Sequence, residues 1–556
     1  MEKRICRASG KEFIISDEDI VFYNKINVPF PTLCPEERQR RKYLWRNERT
    51  LYRRTCDKTG KSIVSMYAPD NRFPVYDIKE WWSDSWDAKD YAQEIDFTRS
   101  FFEQFTELQN KVPRLALLNK NTINSDYSNH TNNSKDAFMC ATAFDSENVL
   151  YSTNVIPLKN GLDCYNIQGK ANEYVYESMD VHNGYNCQYC YRVDSSFDCY
   201  YSFDLRNCSN CFLSYNLRGQ SYYFRNQKYS KEEYFEKIKE FNLSSYQDRQ
   251  KLYTEWKDII FKKALQKGVI IESSVSSTGN DIYNSKNIIN CFNSEDVEDS
   301  KNIIYTTHKI KDCYDSYHVG VNCELLYENH AIVRSANVGD MLVNLYDNTN
   351  LTYCDSCHNS NELFGCVGVK KGSYMILNKQ YPKEEYFELK EKLIQHMKDI
   401  GEYGEFFPPD LSPFAYNETQ AQVYMPLREE EVREHGLVWK TDMPGTYGKE
   451  TIYPENIPDN IEDVPDSITT EVLKCIVSGR NYNVVPQELD LYKRLKIPIP
   501  RIHPDERYKN RILLRPDRQL YKTNCFLCNQ IIDTAYPENR RPLKIVCEEC
   551  YKQEVL

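Results

Sequence analysis

Three consecutive twelve-residue units, YNCQYCYRVDSS from Tyr185, FDCYYSFDLRNC from Phe197 and SNCFLSYNLRGQ from Ser209, put Cys187, Cys199 and Cys211 at one shared position. A unit this short cannot close a core alone, so each must bury its inner side chains against the next. Short β-type runs separated by Asn, Asp, Ser and Gly predict a strand per unit. The expected fold is a β-solenoid with Cys, Ser and Asn laddered inside and about two strands per coil. A looser period, seen in Ser294 and Thr306 and then Cys354 and Cys366, predicts a second tract. SYYFRNQKYSKEEYFE (Ser221–Glu236) and SYMILNKQYPKEEYFE (Ser373–Glu388) agree at ten of sixteen positions at an offset of 152, so both tracts end alike. Ser230 and Pro382, each before Lys-Glu-Glu, read as helix starts, and these helices are expected to cap open strand edges.

A longer duplication brackets the tracts. From Cys6 to Tyr67 the chain aligns without a gap to a segment 469 residues later, pairing Cys6 with Cys475, Gly10 with Gly479, Pro29 with Pro498, Arg38 with Arg507, Arg46 with Arg515, Arg49 with Arg518 and Cys56 with Cys525. Cysteines, prolines and arginines in common register mark two copies of one module. In the second copy, Cys525-x2-Cys528 and Cys547-x2-Cys550 are separated by eighteen residues, the spacing of a four-thiolate zinc site. Four thiolates leave no open position, so the expected zinc is structural. Elsewhere the ligand sets are eroded. Cys475, Ser478, His503 and Glu506 in one copy match Cys6, Ser9, Cys34 and Glu37 in the other, and Cys56 is followed by Thr59. Serine is a poor zinc ligand, so no stable metal is expected at these places. The first module must instead be held by packing around Phe13, Phe22, Tyr23 and Trp45.

The pattern CxxSGK/R-x-[FY]…P-x-P…[CH]P-x-ER resembles zinc-ribbon domains whose fuller form reads CxxCGxxF…CPxCR. Together with ERQRR…RNER, LY.R.CD.TGK and the repeat tracts, it is similar to a group of large Patescibacteria proteins in which zinc-ribbon modules flank Cys/Tyr/Asn-rich repeats. The resemblance covers nearly the whole chain, and the bracketing modules are its most specific part. It implies zinc binding and a shared architecture.

Charge is unevenly spread. Glu36–Arg54 holds 8 basic and 3 acidic residues and Lys493–Lys522 holds 10 and 3, so against a net charge of −11 the rest of the chain carries −23. Arg38, Arg40, Arg41, Arg46, Arg49 and Arg53, with Arg507, Arg511, Arg515 and Arg518, are interleaved with Leu, Trp and Tyr. Guanidinium forks match phosphates and rings stack on bases, which suits RNA or a ribonucleoprotein such as the ribosome. Internal ion pairs to the acidic body explain the same arginines equally well. An enzyme with a site on the solenoid face is the third class. His308, His318, His330 and His358 lie in the second tract with Asp340 and Cys354, but their spacing marks no nucleophile and base. Knuckle-like spacings in the tracts (Cys187 with Cys190, Cys208 with Cys211, Cys354 with Cys357) follow the structural period and read as a thiol ladder. The start MEKRICRASGKEF has no apolar signal core, and no run is long enough to span a bilayer. The 21 cysteines therefore read as reduced thiols and metal ligands in a cytoplasm.

The expected fold class is mainly β with α, two β-solenoid tracts with helical caps between zinc-ribbon-like modules. The expected boundaries are a degenerate module at 1–70, a helical link at 71–119, the first tract at 120–228, a helical cap at 229–270, the second tract at 271–380, a helix and Pro/acidic connector at 381–470, and the zinc-ribbon module at 471–556. The expected function is a non-catalytic, zinc-containing binding or assembly protein. A self-assembling scaffold, forming homo-oligomers, is the alternative.

Overall fold

The computed structural model describes residues 1–306, 309–320, 323–324, 330–336, 341–342 and 344–556, with side chains described outside 319–347. The chain is mixed α and β with extensive parallel strand pairing. It divides into two compact units, and both are discontinuous: residues 1–116 join 269–442, and residues 117–268 join 443–556. The first module therefore shares a unit with the second tract, and the second module shares a unit with the first tract.

In the first tract a regular twelve-residue rung carries two four-residue strands, such as Tyr185–Gln188 and Tyr191–Asp194. In these rungs each strand pairs in parallel with the strand twelve residues on, so that Cys187 stands opposite Cys199 and Cys199 opposite Cys211, while one earlier rung is longer and sets Tyr165 opposite Met179. On the other strand row Val193 stands opposite Leu205 and Leu205 opposite Leu217. The side chains do not alternate in and out with period two, as an ordinary pleated strand requires. Instead every third residue turns inward: Cys187, Cys190, Val193, Cys199, Leu205, Cys208 and Cys211 share one buried cluster. The residue before each inward position is left-handed, as at Asn186 (φ 50°), Asp198 (φ 52°) and Asn210 (φ 50°). Asn and Asp reach that conformation at least cost among residues with a side chain, which explains the Asn-Cys and Asp-Cys dipeptides.

The inward Ser and Cys have a specific task. An inward amide cannot reach a main-chain acceptor on the rung before, so it takes the inward side chain there: Cys190 N donates to Ser178 Oγ at 3.0 Å and Cys208 N to Ser196 Oγ at 3.0 Å. The same side chains donate in turn to carbonyls, as Cys190 Sγ does to Cys199 O at 3.2 Å. A small group that both donates and accepts satisfies buried backbone where water cannot. The second tract repeats the pattern, with Gly372 N donating to Ser360 Oγ and Cys357 Sγ donating to Cys366 O. At the end of each tract a short strand folds back antiparallel, Gln227–Lys228 on Ser221–Phe224 and Lys379–Gln380 on Ser373–Ile376. A helix follows each, Lys231–Ile238 capped by Ser230 and Lys383–Asp399 opened by Pro382.

Both modules run hairpin, helix, helix, hairpin. In the first these are Glu2–Ile5 with Glu12–Ile15, Asp17–Lys25, Pro35–Tyr43, and Tyr52–Thr55 with Ser62–Ser65. In the second they are Leu473–Lys474 with Asn481–Tyr482, Pro486–Leu495, Pro504–Ile512, and Tyr521–Asn524 with Ile531–Thr534. Phe13, Phe22 and Tyr23 pack with Cys6, Leu33 and Cys34 in one core, while Trp45 packs separately against Phe406 and Phe407. The Pro-rich segment after the last tract helix holds short helical turns, among them Pro409–Leu411 and Tyr416–Glu418. Among the described residues no helix is long and apolar enough to cross a membrane.

Candidate metal centre and the arginine-bearing helices

The last hairpin of the second module turns tightly at Cys525–Cys528, where Asn529 N donates to Cys525 O at 2.9 Å. The short strand Ile545–Val546 then delivers Cys547 as the N-cap of the helix Glu548–Val555, which carries Cys550 in its first turn. The four sulfurs come within 4.8 Å of one another, with Cys528 Sγ and Cys547 Sγ 3.8 Å apart. Among the described residues this is the one group of three or more Cys, His, Asp or Glu gathered closely enough to hold a metal ion. Burial pushes the Cys525 thiol up, but the amides of Cys528, Cys547 and Leu527 aim at its sulfur and together bring it down to about 6. Amides directed at a sulfur favour the thiolate, the form that ligates. A compact four-sulfur set suits a tetrahedral zinc held for structure.

The eroded sets keep the same frame. Cys547 N donates to Cys525 Sγ at 3.3 Å, Asp77 N to Cys56 Sγ at 3.3 Å and His503 N to Cys475 Sγ at 3.2 Å. The amide of Cys34 likewise faces the Cys6 sulfur. The other positions have taken different roles. His503 Nδ1 accepts from Asp505 N and caps the helix Pro504–Ile512. Glu37 pairs with Arg40 at 3.1 Å and Glu506 with Lys509 at 2.8 Å. Ser9 Oγ lies 3.7 Å from Cys34 Sγ.

The tract cysteines are ladder elements. Cys187, Cys190, Cys354, Cys357 and Cys366 are fully buried, and burial pushes the thiols of Cys190, Cys354 and Cys357 well above the usual range. Of the tract histidines, His318 stacks on Tyr305 at 4.3 Å and His358 is buried between Trp81 and Trp82. His308, Asp340 and the side chain of His330 lie outside the described residues.

Of the arginines that suit either RNA or internal ion pairs, six are buried against acidic partners. In the second unit Arg507 reaches Asp163 at 2.9 Å and Glu488 at 3.7 Å. Arg511 holds Asp163 at 3.0 Å and Glu177 at 2.6 Å, and Arg515 faces Asp180 at 3.6 Å. In the first unit the aligned residues repeat the scheme: Arg38 pairs with Asp315, and Lys42 Nζ donates to the Asp315 carbonyl at 2.6 Å. Arg41 pairs with Glu405 at 3.3 Å, Arg46 with Glu48, and Arg40 donates to the Tyr416 hydroxyl at 2.7 Å. Arg38, Arg41, Arg46, Arg507, Arg511 and Arg515 are buried, Arg40, Arg49 and Arg518 are half-buried, and Arg53 is exposed. A guanidinium enclosed with its carboxylate cannot also clamp a phosphate without uncovering a buried charge. Asp163, Glu177, Asp180 and Asp315 lie on the tract rungs, hundreds of residues away in sequence, whereas Glu48, Glu405 and Glu488 lie in the modules and the connector.

No family model matches the chain, and no curated protein does. Among solved structures, it is similar to a putative acetyltransferase from Desulfovibrio desulfuricans G20, at 10% identity over 48% of this chain and 69% of that one, with a TM-score of 0.11. At that score the likeness carries no argument about fold or activity.

Proposed function

We propose that this chain is a non-catalytic, zinc-containing binding or assembly protein, with two β-solenoid tracts each clasped by one arginine-bearing module. The observation that carries the reading is the latch built twice: Arg507 and Arg511 onto Asp163, and Arg38 and Lys42 onto Asp315, at aligned module positions. Repetition of a buried charged latch fixes the relation of module to tract within each unit, which is what a rigid binding frame requires. Of the ten arginines expected to meet RNA, Arg53 alone is exposed, which weakens RNA or a ribonucleoprotein as the partner. Phe526, Leu527, Ile531 and Leu543, all exposed in the zinc-bearing lobe, support a protein partner. Self-assembly is the second reading. It is favoured by Tyr185 and Phe197, register neighbours on adjacent rungs that are both 49% exposed.

The test is purification of the full chain from its own cells, with and without nuclease, followed by metal analysis and native mass spectrometry. One zinc per chain and a nuclease-resistant complex with a second protein, lost in Phe526→Ser with Leu527→Ser, are expected. A homo-oligomer instead favours the second reading. Nuclease-sensitive association restores RNA and overturns the choice of a protein partner.

A further inference from the structure

The second unit holds a partly open cavity of about 210 Å³ between the helix Tyr246–Asp258, the tract rungs at Tyr176 and Tyr189, and the module segment 498–502. We infer that this cavity is a binding site for a small phosphate ester carrying a single flat ring. The proposal is independent of the assembly reading above.

Two guanidinium groups on the cavity wall carry it. Arg249 is 2% exposed, yet every partner it has is neutral. Its Nε donates to the Leu243 carbonyl at 2.5 Å, its Nη2 to Gln188 Oε1 at 2.9 Å and the Lys496 carbonyl at 3.3 Å, and its Nη1 to the Tyr201 hydroxyl at 3.4 Å. Arg501 donates Nη2 to the Ile457 carbonyl at 3.0 Å and lies 4.2 Å over the Tyr246 ring, while its buried Nε has no partner. Among the described residues, neither guanidinium meets a carboxylate. The neighbouring Arg507 and Arg511 do, which shows that this region supplies counter-charges where the fold itself needs them.

Buried or half-buried cations without counter-ions are costly, and the cost falls when an anion arrives. Glu177 is the one acid on the wall. Arg511 already holds it at 2.6 Å, so its charge is committed there rather than to Arg249 or Arg501. Two positive charges match a phosphate monoester, which carries nearly two negative charges at neutral pH and can accept from the guanidinium hydrogens left over. The faces of Tyr189, Tyr246 and Tyr253 on the same wall suit a flat ring, and the volume is below that of pockets for drug-sized ligands. One ring with one phosphate is the size that remains.

The experiment titrates the full zinc-loaded chain with phenyl phosphate, inorganic phosphate and benzyl alcohol by calorimetry. Saturable binding of phenyl phosphate is expected, about tenfold tighter than inorganic phosphate, with none for benzyl alcohol. Arg501→Gln, at a half-exposed position, should weaken phenyl phosphate about tenfold while the ligand-free melting temperature stays unchanged. Arg249→Lys, which keeps the charge and loses the guanidinium's fixed position, should weaken it less. Absence of phenyl phosphate saturation up to about 10 mM overturns the proposal. So does unchanged affinity in Arg501→Gln and Arg249→Lys.

Discussion

The final lobes of the two modules are one design executed with different adhesives. In the second module a hairpin, the short strand Ile545–Val546 and the helix Glu548–Val555 converge on four cysteines. In the first, the hairpin, the strand Val75–Tyr76 and the helix Ile78–Trp82 take the same course, and Asp77 N still donates to Cys56 Sγ as Cys547 N does to Cys525 Sγ. At the remaining ligand positions stand Thr59, Asp77 and Glu80. Tryptophan packing holds this lobe together. Trp81 is fully buried, donates Nε1 to the Pro113 carbonyl at 2.9 Å, and packs against Trp82, Trp86 and His358. Lys370 Nζ sits 4.7 Å over Trp86 and donates to the Trp81 and Ser83 carbonyls. Four cysteines able to hold a metal ion and an aromatic cluster thus stand at the same place in one backbone frame.

Removing the metal should break the comparison most sharply. Structural zinc contributes about 10–16 kcal/mol in small zinc domains. A strong chelator, or Cys528→Ser with Cys550→Ser, is expected to strip amide protection from 521–556 and leave 52–82 protected in hydrogen exchange. Equal loss in both lobes would show that they are not held differently. Trp81→Ala attacks the aromatic node and should cost about 3–5 kcal/mol in denaturant unfolding of the first unit, with zinc content unchanged.

The reverse substitution sharpens the point. Thr59→Cys, Asp77→Cys and Glu80→Cys together should raise metal content from one zinc per chain to two. At a hundredfold excess of free zinc over Kd, that site should add about 2.7 kcal/mol. Failure to take up a second ion would mean the frame has drifted further than its amide-to-sulfur bond suggests. The smallest effect is expected from Cys199→Ser, because serine fills the same donor and acceptor role in the rungs. Stability should change by about 1 kcal/mol or less, measured by thermal unfolding.

Much of the module was legible because alignment carries local structure with it. The helices Pro35–Tyr43 and Pro504–Ile512 begin and end at matched positions, each opened by a proline after Cys34 or His503. The twelve-residue spacing of Cys187, Cys199 and Cys211 reappears as strand register. The three-residue period within it was hidden, since left-handed Asn and Asp rotate the chain between inward positions and break the pleat that sequence alternation assumes. The arginines stayed open between two readings for a different reason. A run of Arg and Tyr has the same composition on a nucleic-acid surface and in a buried latch, and Arg507 finds Asp163 only through tertiary folding. Arg249 gave no signal, and Arg501 only as one of a basic run, because an uncompensated charge is defined by what fails to surround it.

The alternation of segments between the two units governs the order in which the chain can finish folding. As residues emerge in sequence, the first module must wait for the tract that begins near Val269, and the first tract must wait for the module that follows Met443. Any cut between 117 and 442 therefore leaves both units incomplete. Separately made halves, 1–268 and 269–556, each carry one part of both units and could become whole only by pairing with each other.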